Sequence, residues 1–280
     1  MVRSVFLLAS VSLLAASCGG APPAPPALAY GAGPGADLTY DFADTTEVDV
    51  SVMGQSMQLS QRGVATYDVS LVNTTVGVDV VLNVRTLDAT LSQPMGAPVR
   101  VDQSAVRGAL EFSLDRIGGV TLTSTPSVAD EASQMVSGLS LAHGFFPRLP
   151  GRAALPGDTW VDTVSWSGAE GPGARSERSV LNYTVRGDTV VDGRALLMIS
   201  VAGETTVTNE LAIAGMSVGQ RSELEVEGHV LWDLQSNTLY EQVRHASGPG
   251  QVSVPIAPAP LPIRVRSTQR ARVQSEGSRP

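Results

Sequence analysis

The chain has 280 residues, of which 42% are hydrophobic and 16% charged, with a net charge of -8 and a pI near 4.9. That is the composition of a folded chain, and without a positive field a nucleic-acid partner is not expected. All 19 basic side chains are arginine, which removes lysine as a base or Schiff-base former.

Arg3 opens a short basic region, and the apolar run Val5 to Ala16 is the length of a signal-peptide core rather than a membrane span. The run ends in Leu14-Ala15-Ala16-Ser17-Cys18, and Cys18 is the only cysteine in the chain. An exported domain with one cysteine has no internal disulfide, so its thiol needs another purpose. These residues resemble the lipobox of bacterial lipoproteins. The resemblance implies removal of residues 1–17 and acylation of Cys18 in the cell envelope. Gly19 stands where an inner-membrane retention signal would have Asp, which favours the periplasmic side of an outer membrane if the cell has two membranes. Residues 18–36 are rich in Pro, Gly and Ala and read as a tether.

From residue 37 to 274 the pattern is period two, with a short disordered tail expected at 275–280. Leu38, Tyr40, Phe42, Val48 and Val50 share one parity, and the acids between Asp37 and Asp49 are read as a solvated face. Further alternating runs pass through Val80, Phe112, Trp160, Val201, Val226 and Trp232. One apolar and one polar face, repeated along the chain, predicts a curved antiparallel sheet, either a half-barrel or a duplicated β-domain. Tyr67-Asp-Val69 is echoed by Tyr183-Thr-Val185, and Gly108 to Leu114 by Gly228 to Leu234.

One stretch breaks the pattern. Val128, Ala132, Met135, Val136 and Leu139 fall at helical spacing, after an N-cap signal at Thr125-Pro126-Ser127. This predicts one covering helix over about 127–143, with His143 at its C-terminal carbonyls. Met135, Val136 and Leu139 are expected to face Val50, Val80, Phe112 and Trp232, leaving an apolar space for an acyl chain.

After the helix comes Leu155-Pro-Gly157-Asp158-Thr159-Trp160. A Cys tether, two β-rich halves, a central helix and this Gly-Asp-Thr-Trp run resemble uncharacterised exported bacterial lipoproteins, a domain of unknown function with a central Gly-Asp-Ser/Thr-Trp motif. The architecture is also similar to lipoprotein-carrier and mycobacterial lipid-binding half-barrels. Asp158 is expected to hold its turn, and Trp160 to pack where the helix meets the second half.

Near the C-terminus, Arg264, Arg266, Arg270 and Arg272 share one strand face. Two readings follow: protection of an edge strand, or contact with anionic headgroups beneath a tethered domain. No Gly-x-Ser-x-Gly elbow or paired carboxylates occur, and His143, His229 and His245 lack metal-site spacing. Catalytic residues, cofactor and metal are therefore not expected. The sequence thus points to a membrane-anchored, non-catalytic protein that binds a lipid or other apolar ligand between sheet and helix. The alternative is a structural or protein-interaction module with a closed core.

Overall fold

The computed structural model describes residues 27–52, 55–92, 96–130, 132–133, 135–170, 173–213, 216–255 and 257–274. Cys18, residues 1–17 read as a signal peptide, and the tail expected at 275–280 lie outside them. In the first half β1 (Ala36–Val52), β2 (Gln55–Asn73) and β3 (Gly77–Ser92) are long. β4 (Val99–Asp102), β5 (Val106–Arg107), β6 (Leu110–Asp115), β7 (Val120–Ser124) and β8 (Ser127–Val128) are short. The helix α1 (Gly138–Gly144) precedes β9 (Thr159–Glu170), β10 (Gly173–Val191), β11 (Arg194–Ile213), β12 (Met216–Asp233), β13 (Thr238–Ser253) and β14 (Leu261–Val273).

Twelve strands form one curled antiparallel half-barrel in the order β7-β6-β3-β2-β1-β14-β13-β12-β11-β10-β9, with β4 beside β3. It is a meander whose first and last strands pair in the middle, with Val48 opposite Val265 and Phe42 opposite Ala271. The free edges, β7 and β9, are therefore neighbours along the chain. The segment between them crosses from one edge to the other, and α1 touches β6, β7 and β9. The two sequence echoes fall on the second strand of each half, β2 and β10, and on the fourth main strand of each, β6 and β12.

Glycines at a few strand positions let the sheet curl. A Cβ at Gly203, Gly228 or Gly248 would collide with the carbonyl oxygen of Val180, Val243 or Glu223 on the adjacent strand. Only a residue without a side chain tolerates so close an approach of backbones.

The helix is shorter than its periodicity suggests. Ser127 and Val128 pair as a strand with Arg107 and Val106, and Ala132, Ser133, Met135 and Val136 follow in hydrogen-bonded turns. Ser137, not Ser127, is the N-cap, its side chain accepting from the Ser140 amide at 2.9 Å. Pro126 and the β-branched Val128 favour extended backbone, which overrides the helical spacing. Seven residues are too few to form a helix unaided, so packing holds α1 in place.

Two more boundaries differ from the sequence reading. Leu28, Ala29 and Tyr30, assigned to the tether, are buried. The Tyr30 hydroxyl donates to the Pro147 carbonyl at 2.7 Å, and Asn237 Nδ2 donates to the Ala29 carbonyl. The strand β14 is not an edge strand but lies between β1 and β13. Its four arginines are therefore not edge protection.

Candidate functional site

The space beneath α1 is filled. The residues just past the helix, Phe145 and Phe146, point into the concave face and are 2% and 5% exposed. The Phe145 ring lies 5.1 Å from Tyr40, 6.0 Å from Tyr67 and 5.0 Å from Phe146. Tyr30 approaches Phe146 and Trp232 edge-on, at 6.0 and 5.5 Å. Edge-to-face packing of this kind leaves little void. The recesses beside it measure about 20 Å³ and about 10 Å³, room for a single water at most.

The residues proposed to line an apolar cavity do not converge on one. Val80, Phe112 and Trp232 belong to the main core with the two phenylalanines. Val50 lies in a separate cluster with Val207, Leu224, Ile263 and Val265 towards the other end of the barrel. Met135 packs in a third, around Ala89, Val101 and Ala132. Leu139 lies over β9, where a Cβ on Gly168 would strike it, and Val136 is half-buried at the end of the turns. Sequence reasoning missed Phe145 and Phe146. The signal available was two adjacent aromatics before a proline, in a chain with five phenylalanines in all.

The Gly157 to Trp160 run is a tied-down turn. Gly157 has φ +93° and Asp158 Oδ2 accepts from the Leu155 amide at 3.0 Å and from Arg152 at 3.1 Å. The Leu155 amide and then Arg152 hold the Asp158 carboxyl below its ordinary pKa. Thr159 begins β9, and Trp160 is half-buried, stacked on Tyr183 at 5.2 Å. His143 stands in the last turn of α1. It lies flat on Trp166 at 5.3 Å, and burial, then Arg148, lowers its pKa.

A polar row crosses the concave face below the aromatic plug. Register places Tyr183, Val201, Gly228, Arg244, Gln269, Asp44 and Gly63 side by side. Asp44 is thus not on the solvated face expected for the acids of β1. It shares the inward parity of Tyr40 and Phe42, and a Cβ on Gly63 would strike its carboxylate. Burial raises its pKa to about 6, opposed by a long hydrogen bond from Gln61 at 3.4 Å. The folded state therefore binds this proton more tightly than the unfolded chain. Stability from Asp44 is full below pH 4 and is lost as pH rises through about 6, by about 2–3 kcal/mol. Asp44→Asn should abolish that fall, so the two proteins' thermal melts should separate between pH 4 and pH 7, with the variant the more stable at neutral pH. Parallel curves would place Asp44 in water.

A recess of ligand size lies on the outer face instead. It is a trough of about 680 Å³ across β3, β2, β1 and β14. Register sets two outward rows along it, Asp88–Val64–Ala43–Arg270 and Thr86–Thr66–Asp41–Arg272. Val64 is 44% exposed on its floor. The arginines at one end are already paired, Arg270 with Glu241 at 2.7 Å and Arg272 with Asp192 at 2.7 Å. Farther along β14, Arg266 meets Asp49 at 2.8 Å, and Arg264 stands opposite Asp49 in the β1 register. With Asp41 and Asp88 also on its walls, the trough carries no excess positive charge. Its lining mixes apolar side chains with charged and polar ones, and its balanced charge does not mark it as an anion site.

Among the described residues, no group of three or more His, Cys, Asp or Glu is arranged to hold a metal ion, and no helix is long and apolar enough to cross a membrane. No protein-family profile matches the chain, and no curated protein does. A solved structure of a DUF1329 family protein from Desulfovibrio piger aligns over 86% of this chain and 87% of its own. The identity is 9% and the TM-score 0.16, too low to bear on fold or function.

Proposed function

We propose that the protein is an exported lipoprotein, anchored in the cell envelope through Cys18, whose half-barrel is a non-catalytic binding module. Its ligand seat is the outer trough over Ala43 and Val64, and its ligand an uncharged apolar chain such as an acyl group. The observation that carries this is one of volume. The trough offers about 680 Å³, whereas the space between helix and sheet is occupied by Phe145, Phe146 and Tyr30. The arginine row of β14 plays no part as a headgroup site in this reading, because Arg266, Arg270 and Arg272 already meet carboxylates.

The test is native mass spectrometry of protein purified from its own envelope, wild type beside Val64→Asp. The expected result is an acylated Cys18 in both and a co-purifying apolar molecule in the wild type alone. A filled interior equally favours a second reading, a closed structural or interaction module with no ligand. Two acylated proteins that both emerge empty would select it.

A further inference from the structure

The first described residues, from Ala27, lie at one end of the barrel. Ala27 bridges Ala153, the Leu28 amide donates to the Arg152 carbonyl at 3.0 Å, and the Tyr30 amide donates to the Arg116 carbonyl at 2.9 Å. A Cβ on Gly31 would lie 2.6 Å from the Gly77 carbonyl oxygen. The first described residues are thus stitched to three loops at one end of the barrel, the loops holding Val76, Ile117 and Leu155.

These three side chains are 66%, 45% and 57% exposed. Large aliphatic groups exposed on separate loops at the same end of the barrel lack the structural reason that buries the rest. Nine peptide steps separate Cys18 from Ala27, which at full extension reach roughly 30 Å. The strand β1 alone has 17 residues and spans roughly 55 Å. An acyl group on Cys18 therefore holds the end carrying Val76, Ile117 and Leu155 close to the bilayer. The opposite end, with the β13–β14 connection, stands beyond the reach of the leash unless the barrel lies flat.

We infer that Val76, Ile117 and Leu155 form a membrane-facing surface that dips into the lipid interface beside the anchor. The inference rests on the proposed acylation of Cys18, and it concerns a different surface from the ligand trough. It commits to a phospholipid bilayer as the occupant. Three loop-borne aliphatics give weak binding alone and orient the domain once a covalent lipid supplies the attachment.

Hydrogen exchange tests it. The protein is placed in nanodiscs of phosphatidylethanolamine and phosphatidylglycerol, held by its own acyl group or, where mass spectrometry finds none, by a maleimide lipid on Cys18. The mass alone decides the anchoring reading, and the exchange pattern decides this one. Against detergent-solubilised protein, amides at 74–77, 116–118, 154–155 and 157–158 should slow by at least about fivefold, while those within 251–255 do not change. The double substitution Ile117→Asp, Leu155→Asp should remove the slowing with an unchanged melting temperature in detergent. Protection at 251–255 instead, or none at the three loops, overturns the inference whether or not Cys18 is acylated.

Discussion

Phe145→Ala should cost the folded domain about 3–5 kcal/mol, the range for truncating a buried aromatic. The ring is 2% exposed and touches Tyr40, Phe42, Tyr67 and Phe146, which come from β1, β2 and its own segment. Each edge-to-face pair adds about 0.5–1.5 kcal/mol beyond the area buried. The surrounding strands are tied into one sheet and cannot collapse into the space, so the cavity term is paid almost in full. Against a typical stability of about 5–15 kcal/mol, the loss is a large fraction. Urea unfolding of wild type and variant measures it. A loss under about 1 kcal/mol would mean that the plug is loosely seated and the concave face accessible.

Gly203→Val should destabilise by at least about 3 kcal/mol, against the sign that strand propensity gives. In an ordinary strand, valine for glycine is favourable by up to about 1 kcal/mol. At Gly203 the added Cβ collides with the Val180 carbonyl oxygen and lies 3.0 Å from the Leu181 Cα, so β10 and β11 must part. The three nearest atoms are all backbone of β10, so no flexible side chain can move aside. Gly219→Val is the control, because the nearest atom to its Cβ is 4.0 Å away. If both substitutions stabilise, the tight curl at Gly203 is not a feature of the folded protein.

Much of the fold was legible because alternation reports directly which face of a strand is buried. Tyr40, Phe42, Val48 and Val50 on β1, and Ile263, Val265, Ala271 and Val273 on β14, all face inward as their parity requires. Alternation does not report neighbours, and so β14 could be taken for an edge strand. A solvated outer face looks the same at the middle of a sheet as at its rim. Periodicity over-extends the helix because Val128 on β8 and Ala132 and Met135 in the turns after it all pack around Ala89 and Val101, which meets helical spacing by accident.

The site was less legible than the fold. Asp44 shares parity with Tyr40 and could have been placed inside, but its acidic neighbours suggested a wet face. The filling of the concave side depends on where Phe145 and Phe146 point after the helix ends, which no period encodes. The outer trough arises from four strands brought together across some 230 residues, from Asp41 to Gln274. Its residues, among them Ala43, Val64 and Thr66, have no chemistry that marks them individually.

A photoreactive fatty alcohol, an uncharged acyl-length chain, tests the central claim most directly. Incubated with the purified protein and irradiated, it should label saturably within residues 41–43, 64–66 and 270–274, the walls of the outer trough. Labelling should be lost in Val64→Asp and should spare 138–149. Saturable labelling at Phe145 and Phe146 would instead show that the plug yields to ligand and that the binding face is the concave one.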